Sequence, residues 1–184
     1  MSIRVSGGIL RGRTVPSPRG SKIRPTTERV RLALFSILGE DIIMGSRILD
    51  LFAGTGMLGI EAMSRGAGWS DFVEVNRKHC GMIRNNLSQL GVTANFGVYQ
   101  TKVENFVNPA DCQYDLVLAD PPFDIPNWES IMTHIDKKGL VIRGGVIVAE
   151  HRHTVLLNQK YGRLELYDDR RYGDSRLSFY TPTA

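Results

Sequence analysis

From Arg47 to about residue 150 the chain alternates short apolar runs with longer segments whose apolar residues recur at helical spacing. Ile48-Leu49-Asp50-Leu51-Phe52 reads as a strand, followed by a Gly-rich turn and a helix through Ile60, Ala62 and Met63. Phe72-Val73-Glu74-Val75 reads as a second strand, and Ile83, Leu87 and Leu90 share one face of the helix after it. Further strands are expected near residues 94–99, 114–119 and 145–150, with helices near 102–107 and 127–137 between them. Near-continuous apolar strands alternating with helices bury both faces in a mostly parallel sheet covered on both sides. The two ends break this rhythm. Leu164 to Tyr167 and Leu177 to Tyr180, joined through Tyr172-Gly173-Asp174, read as an antiparallel hairpin closing one edge. Residues 1–25 carry Gly7-Gly8, Gly12, Pro16, Pro18, Gly20 and Pro25, a turn-rich arm that can hold a short hairpin. A helix is expected from about Thr26-Thr27, because threonine caps free amide groups, with Val30, Leu34, Ile37 and Leu38 on one face. The expected division is an arm over 1–25 and a Rossmann-like α/β domain over 26–184.

With 42% hydrophobic and 23% charged residues among 184, the composition is that of one globular domain with a real core. Nothing approaches the run of about 20 apolar residues that a membrane helix needs. Met1-Ser2-Ile3-Arg4-Val5 lacks the apolar core of a signal peptide, and Cys80 and Cys112 are too few for a disulfide framework. The expectation is a reduced, cytoplasmic protein without a membrane partner. The net charge of +4 is unevenly spread. Residues 1–31 hold eight basic residues against Glu28 alone, giving +7, so the remainder sums to −3. A basic arm on a mildly acidic body points to a polyanionic partner, since clustered Lys and Arg gain by releasing counterions from phosphates.

"DLFAGTGMLG", Asp50 to Gly59, places Gly54, Gly56 and Gly59 in the spacing of the dinucleotide fingerprint, with Glu74 twenty residues past Gly54. This spacing suits any ligand with an adenosine whose ribose hydroxyls meet an acid at the second strand's end. Asp50 discriminates among them. A carboxylate at the mouth of the turn repels a pyrophosphate at close range but attracts the ammonium and sulfonium of S-adenosylmethionine.

"LADPPFD", residues 118–124, ends an apolar strand in a carboxylate, two prolines and an aromatic ring. Ligands of open α/β sheets lie beyond the carboxyl ends of the strands, and Asp120 falls there. Exocyclic amines of bases are poor nucleophiles because the nitrogen lone pair is delocalised into the ring. The Asp120 carboxylate and the Pro121 carbonyl can accept from both N–H bonds and take up developing positive charge. Pro121 and Pro122 restrain those acceptors in advance, and Phe123 offers a face for an extruded base. The fitting substrate is a flat heterocycle bearing an amino group.

"DLFAGTG", Glu74 and "DPPF" in this order resemble the amino-methyltransferases of the Rossmann-like, S-adenosylmethionine-dependent class. With "VSGGILRGRTVPSP", "RPTTERVRLALFSIL", "FAGTGMLGIEAMSRGA" and "RYGDSRLSFY", the chain resembles the RsmD family of bacterial 16S ribosomal RNA guanine-N(2)-methyltransferases. The resemblance implies a mostly parallel seven-stranded sheet with an antiparallel C-terminal hairpin and a small N-terminal β-hairpin extension. It implies methylation at guanine 966 in the usual ribosomal numbering, on 16S rRNA within small-subunit particles, by a monomer without a metal. Carried over by position, Asp50, Phe52, Ala53, Gly54, Gly56, Glu74, Val75, Lys102 and Val103 would bind the cofactor, with Asp120 beside them. Asp120, Pro121, Pro122 and Phe123 would hold the guanine. Arg24, Thr26 and Arg29 would face the mouth of the site, and Arg11, Arg13 and Lys22 would join them in binding RNA. Three positions depart from the family's usual pattern: Leu32 stands for Glu, Asn76 for Asp, and Lys102 for a short polar residue near the adenine.

Other readings of the same residues are a DNA or RNA adenine-N(6)-methyltransferase, an NAD-dependent oxidoreductase and a non-catalytic RNA-binding module. The first has no room for a separate target-recognition domain, Asp50 weighs against the second, and the third has no need of Asp-Pro-Pro-Phe. Glu150-His151-Arg152-His153 lacks a distant Cys/His cluster to complete a metal site. Cys80, Trp69 and Trp128 read as packing residues. Arg170, Arg171 and Arg176 lie among Asp168, Asp169 and Asp174.

Overall fold

The computed structural model describes residues 2–17, 27–108, 112–122 and 127–183. In chain order its elements begin with β1 (Ser2–Arg4), β2 (Thr14–Pro16) and α1 (Glu28–Ile43). Then come β3 (Arg47–Leu51), α2 (Met57–Ser64), β4 (Trp69–Glu74), α3 (Arg77–Gln89) and β5 (Phe96–Gln100). The second half holds β6 (Tyr114–Ala119), α4 (Trp128–Lys137), β7 (Val141–Arg152), β8 (Lys160–Tyr161), β9 (Leu164–Tyr172) and β10 (Ser175–Pro182).

The large sheet runs β5-β4-β3-β6-β7-β10-β9-β8. Its first five strands are parallel and the last three antiparallel. The seven expected strands are all present, and the eighth, β8, is a two-residue edge piece paired with β9. The chain grows outward from β3 to β5 on one side and from β6 to β7 on the other. The reversal between β3 and β6 is where an open α/β sheet leaves a ligand crevice.

Alternation along the strands divides the core. Leu49, Leu51, Val117, Ala119, Ile147 and Ala149 face α4, together with Trp128, Ile131 and Ile135. Ile48, Leu116, Leu118, Val146 and Val148 face α1 and α2, against Leu34, Leu38 and Leu58. Of the helical face expected on α1, Val30, Leu34 and Leu38 are buried, while Ile37 is only partly covered. Gly39, at φ 70°, breaks the helix into two pieces. The helix expected near 102–107 is instead a single 3-10 turn, Val103–Asn105. Its two buried anchors, Val103 and Phe106, are three residues apart, which suits the 3-10 period rather than a longer α-helix.

The N-terminal hairpin is docked onto the body. Val5 and Val15 are fully buried against Met57, Ile60, Phe72, Ile83 and Leu87. The loop between β1 and β2 grips the end of α2: the Ile9 amide donates to the Ser64 carbonyl at 2.7 Å, and the Leu10 amide to Ser64 Oγ at 2.9 Å. Gly8 sits at φ +73°, and a Cβ there would overlap the Ser64 carbonyl. Below this contact Glu61, wholly buried in α2, accepts from the Ser6 amide (2.8 Å) and hydroxyl (2.7 Å), Arg31 Nε (3.3 Å) and Arg65 Nε (2.9 Å). Arg31, 1% exposed, also donates to the Arg4 carbonyl at 2.6 Å. Burial pushes its guanidinium pKa down and Glu61 opposes that shift. Arg31 is therefore compensated inside the fold and withdraws from the arm's outward-facing charge. Among the described residues, no helix is long and apolar enough to cross a membrane.

Candidate active site

The turn after β3 is made by backbone that ordinary residues avoid. Phe52, Gly54 and Gly56 all have positive φ (60°, 55° and 78°), and α2 starts at the next residue. Phe52 is the non-glycine among them, and its half-buried ring packs on the α4 side of the core. Gly56 and Gly59 are required by close approach. A Cβ on Gly59 would overlap the Phe72 ring and Ser70 Oγ, and one on Gly56 would press on Ile83. The glycines thus let α2 lie directly on β4 with its first amides beside the turn.

Asp50 lies under this turn and not at its open mouth. It is 1% exposed, and its Oδ2 accepts from the Gly59 amide at 2.9 Å. Burial raises its carboxyl well above the usual carboxylate range; the Gly59 bond opposes this, and the nearby Asp120 and Glu74 charges add to it. The last two influences place Asp120 and Glu74 within electrostatic reach of Asp50. Glu74 ends β4 and is 8% exposed. Its Oε2 accepts from the Gly54 amide at 2.9 Å and its Oε1 from the Asn76 amide at 2.8 Å, with His79 Nδ1 at 3.6 Å.

Asp120 directly follows β6 in the strand beside β3, with its amide 3.5 Å from the Leu51 carbonyl. Its side chain is partly exposed; Pro121 is buried and Pro122 exposed. Asp50, Glu74 and Asp120 therefore stand at or next to the carboxyl ends of three neighbouring strands, around the Gly54–Gly56 turn. Ala53 and Val103 are buried, whereas Val75 is 59% exposed and Lys102 is exposed. Arg11, Arg13 and Arg29 are exposed, and Arg13 donates to the Gln89 carbonyl at 3.0 Å. Phe123, Lys22, Arg24 and Thr26 lie outside the described residues.

Sequence reading missed two supports of the site. Asn86, 1% exposed, donates to the Thr55 carbonyl at 3.0 Å and ties α3 to the turn. Its signal was an amide on the apolar face between Ile83 and Leu90. Glu61 was the second, a charge inside the otherwise apolar "MLGIEAM". The packing residues are where they were expected. Trp128 is buried with its ring edge-on to His151 at 5.9 Å, and Cys80 is buried with its thiol pKa raised by burial. On the C-terminal hairpin Arg170 pairs with Asp168, and Arg176 with Asp169.

The arrangement fits a ligand with a ribose and a cationic centre. Glu74 keeps lone pairs for hydroxyl groups beyond its two amide bonds, and a desolvated carboxylate such as Asp50 holds a cation strongly.

A family model described as Conserved hypothetical protein 95 matches residues 3–181. The chain is 34% identical over 148 residues to the Escherichia coli protein named "Ribosomal RNA small subunit methyltransferase D", covering 80% of this chain and 74% of that one. It superposes on the solved structure titled "Putative methyltransferase yhhF from Escherichia coli" with a TM-score of 0.85 and 28% identity, covering 100% and 99% of the two chains. At 19% identity, which shows the fold alone, it also superposes on the Thermus thermophilus 16S rRNA N2 G1207 methyltransferase, solved with AdoMet and guanosine. That TM-score is 0.75, over 100% of this chain and 50% of that one.

Proposed function

The chain belongs to the Conserved hypothetical protein 95 family, the RsmD family of small-subunit rRNA methyltransferases, and on that premise we propose that it methylates the exocyclic N(2) amine of a guanine in 16S rRNA. The methyl donor is S-adenosylmethionine and the target is guanine 966. The observation that carries the reading is the meeting of Asp50, Glu74 and Asp120 around the Gly54–Gly56 turn, with Pro121 fixed immediately after Asp120.

Bound S-adenosylmethionine supplies a methyl group activated by its sulfonium. Glu74 would hold the ribose hydroxyls, and its bonds from the Gly54 and Asn76 amides keep it oriented. A bound cation would favour the ionised form of Asp50, which lies under the turn. Asp120 and the Pro121 carbonyl would accept the two N–H bonds of the amine and leave its nitrogen lone pair free for the methyl group, whose bond to sulfur would give way as the N–C bond forms. The product nitrogen is then a strong acid, and Asp120 holds the departing proton. No base is needed before attack. The target base leaves its stack to reach Asp120, and the substrate places the reaction in the cytoplasm.

The test is transfer of labelled methyl to small subunits lacking the modification, followed by nucleoside mapping. N(2)-methylguanine at one site is expected. N(6)-methyladenine would overturn the guanine assignment, and tight NADH binding without methyl transfer would overturn the reaction class.

A further inference from the structure

Two helices with an acid in the first turn, α1 with Glu28 and α4 with Glu129, follow the helix dipole, whose positive end favours negative charge. The α3 helix does the opposite. Its first two residues are Arg77 and Lys78, no acid lies in its first turn, and its cap is the neutral Asn76, whose Oδ1 accepts from the Lys78 amide at 2.8 Å. Two cations at the positive end of a helix are unfavourable for the fold itself.

A third cation joins them. The β4–β5 register ends at Glu74 opposite Gln100, and the Thr101 amide donates to the Glu74 carbonyl at 3.2 Å. Asn76-Arg77 and Lys102 therefore leave the same end of the two strands. Arg77, Lys78 and Lys102 are all exposed, and none is in an ion pair among the described residues. The acids nearby are the buried Glu74, held by two amides, and the exposed Glu104. By contrast, Arg170 and Arg176 of the C-terminal hairpin pair with Asp168 and Asp169.

S-adenosylmethionine carries no phosphate, and its adenosine is uncharged. The cofactor therefore gives these cations no anion at the ribose end that Glu74 addresses. We propose that Arg77, Lys78 and Lys102 form a phosphate-binding rim that holds the RNA backbone at the start of α3, beside the site; this rests on the RNA-methyltransferase reading above. The target strand then lies over Glu74 and the turn, with its base entering at Asp120.

The test is binding to unmodified small subunits at several salt concentrations, alongside cofactor titration. Arg77→Gln/Lys78→Gln should bind on the order of tenfold more weakly at about 0.1 M salt, with a log-affinity versus log-salt slope shallower by about 0.7–0.9 per contact, and wild-type cofactor affinity. Lys102→Gln in that background should flatten the slope further. Arg77→Glu/Lys78→Glu suits the helix end better than the natural sequence, so it keeps the fold while weakening RNA binding most. Wild-type RNA affinity and slope in these variants would overturn the rim alone. A wild-type protein that does not bind small subunits would overturn the RNA reading and the rim together.

Discussion

The Glu74 carboxylate and the Gly54 amide, twenty residues apart, are joined by a 2.9 Å hydrogen bond at the crevice between the strands. The acid at the end of one strand thereby fixes the turn that ends its neighbour, so in the proposed mechanism cofactor recognition and loop geometry share one side chain. Glu74→Ala is expected to weaken S-adenosylmethionine binding by roughly 1.5–3 kcal/mol, the value of a charge-assisted contact, with little change in RNA affinity. Calorimetry decides. Unchanged cofactor affinity would give the ribose to another residue.

Asp120→Ala is expected to lower single-turnover methyl transfer on the order of 100-fold or more while leaving cofactor affinity near wild type. In the proposed mechanism the Asp120 side chain addresses the amine, whereas Glu74 and Asp50 address the cofactor. Wild-type turnover would remove Asp120 from the mechanism.

Asp50 makes the ligand-free protein sensitive to pH. Burial raises its carboxyl above the usual range, so the protonated form suits the fold better than the ionised one. Its contribution to stability is fully present below the ordinary carboxylate range and is lost as pH rises through the raised value. Asp50→Asn keeps an acceptor for the Gly59 amide without the charge. It should therefore unfold at higher urea concentration than wild type at neutral pH, lose that advantage in acid, and bind the cofactor poorly. Equal urea midpoints across the pH range would show that Asp50 carries no buried-charge cost.

Glu61→Gln should destabilise the fold by about 3–5 kcal/mol, because Arg31 is left buried opposite a neutral partner. Arg31→Met/Glu61→Leu should recover much of that loss, since both charges leave together. Urea denaturation of the three proteins checks the order. A Glu61→Gln protein as stable as wild type would mean that Ser6 and Arg65 hold the region without this pair.

The parts of the molecule legible in the sequence are those set by neighbours along the chain. Asp50, Gly54, Gly56, Gly59 and Glu74 fall within one strand–turn–helix–strand unit, where spacing alone brings them together. The strand ending at Ala119 was legible for the same reason: its apolar run stops abruptly at Asp120. What sequence reading missed depends on elements far apart. Glu61 meets Ser6 and Arg31 across separations of 55 and 30 residues, so the charge count of the arm included an arginine that the fold neutralises. The residues near 102–107 had an apolar spacing that serves a 3-10 turn as well as a helix, and local pattern does not separate the two.

The place of β10 bears on how the protein is made. The last strand of the sheet in chain order is an interior one, flanked by β7 and β9, with Phe179 and Tyr180 fully buried. During synthesis at roughly 5–20 residues per second, the parallel half of the sheet emerges first and waits with β7 as a bare edge. A nascent chain halted before Ser175 displays the unpaired backbone of Ile147–Arg152, the kind of surface to which another strand can attach. Emergence of β10 is thus the event that seals the sheet, and chains that stop before it should be substrates for chaperones and proteases.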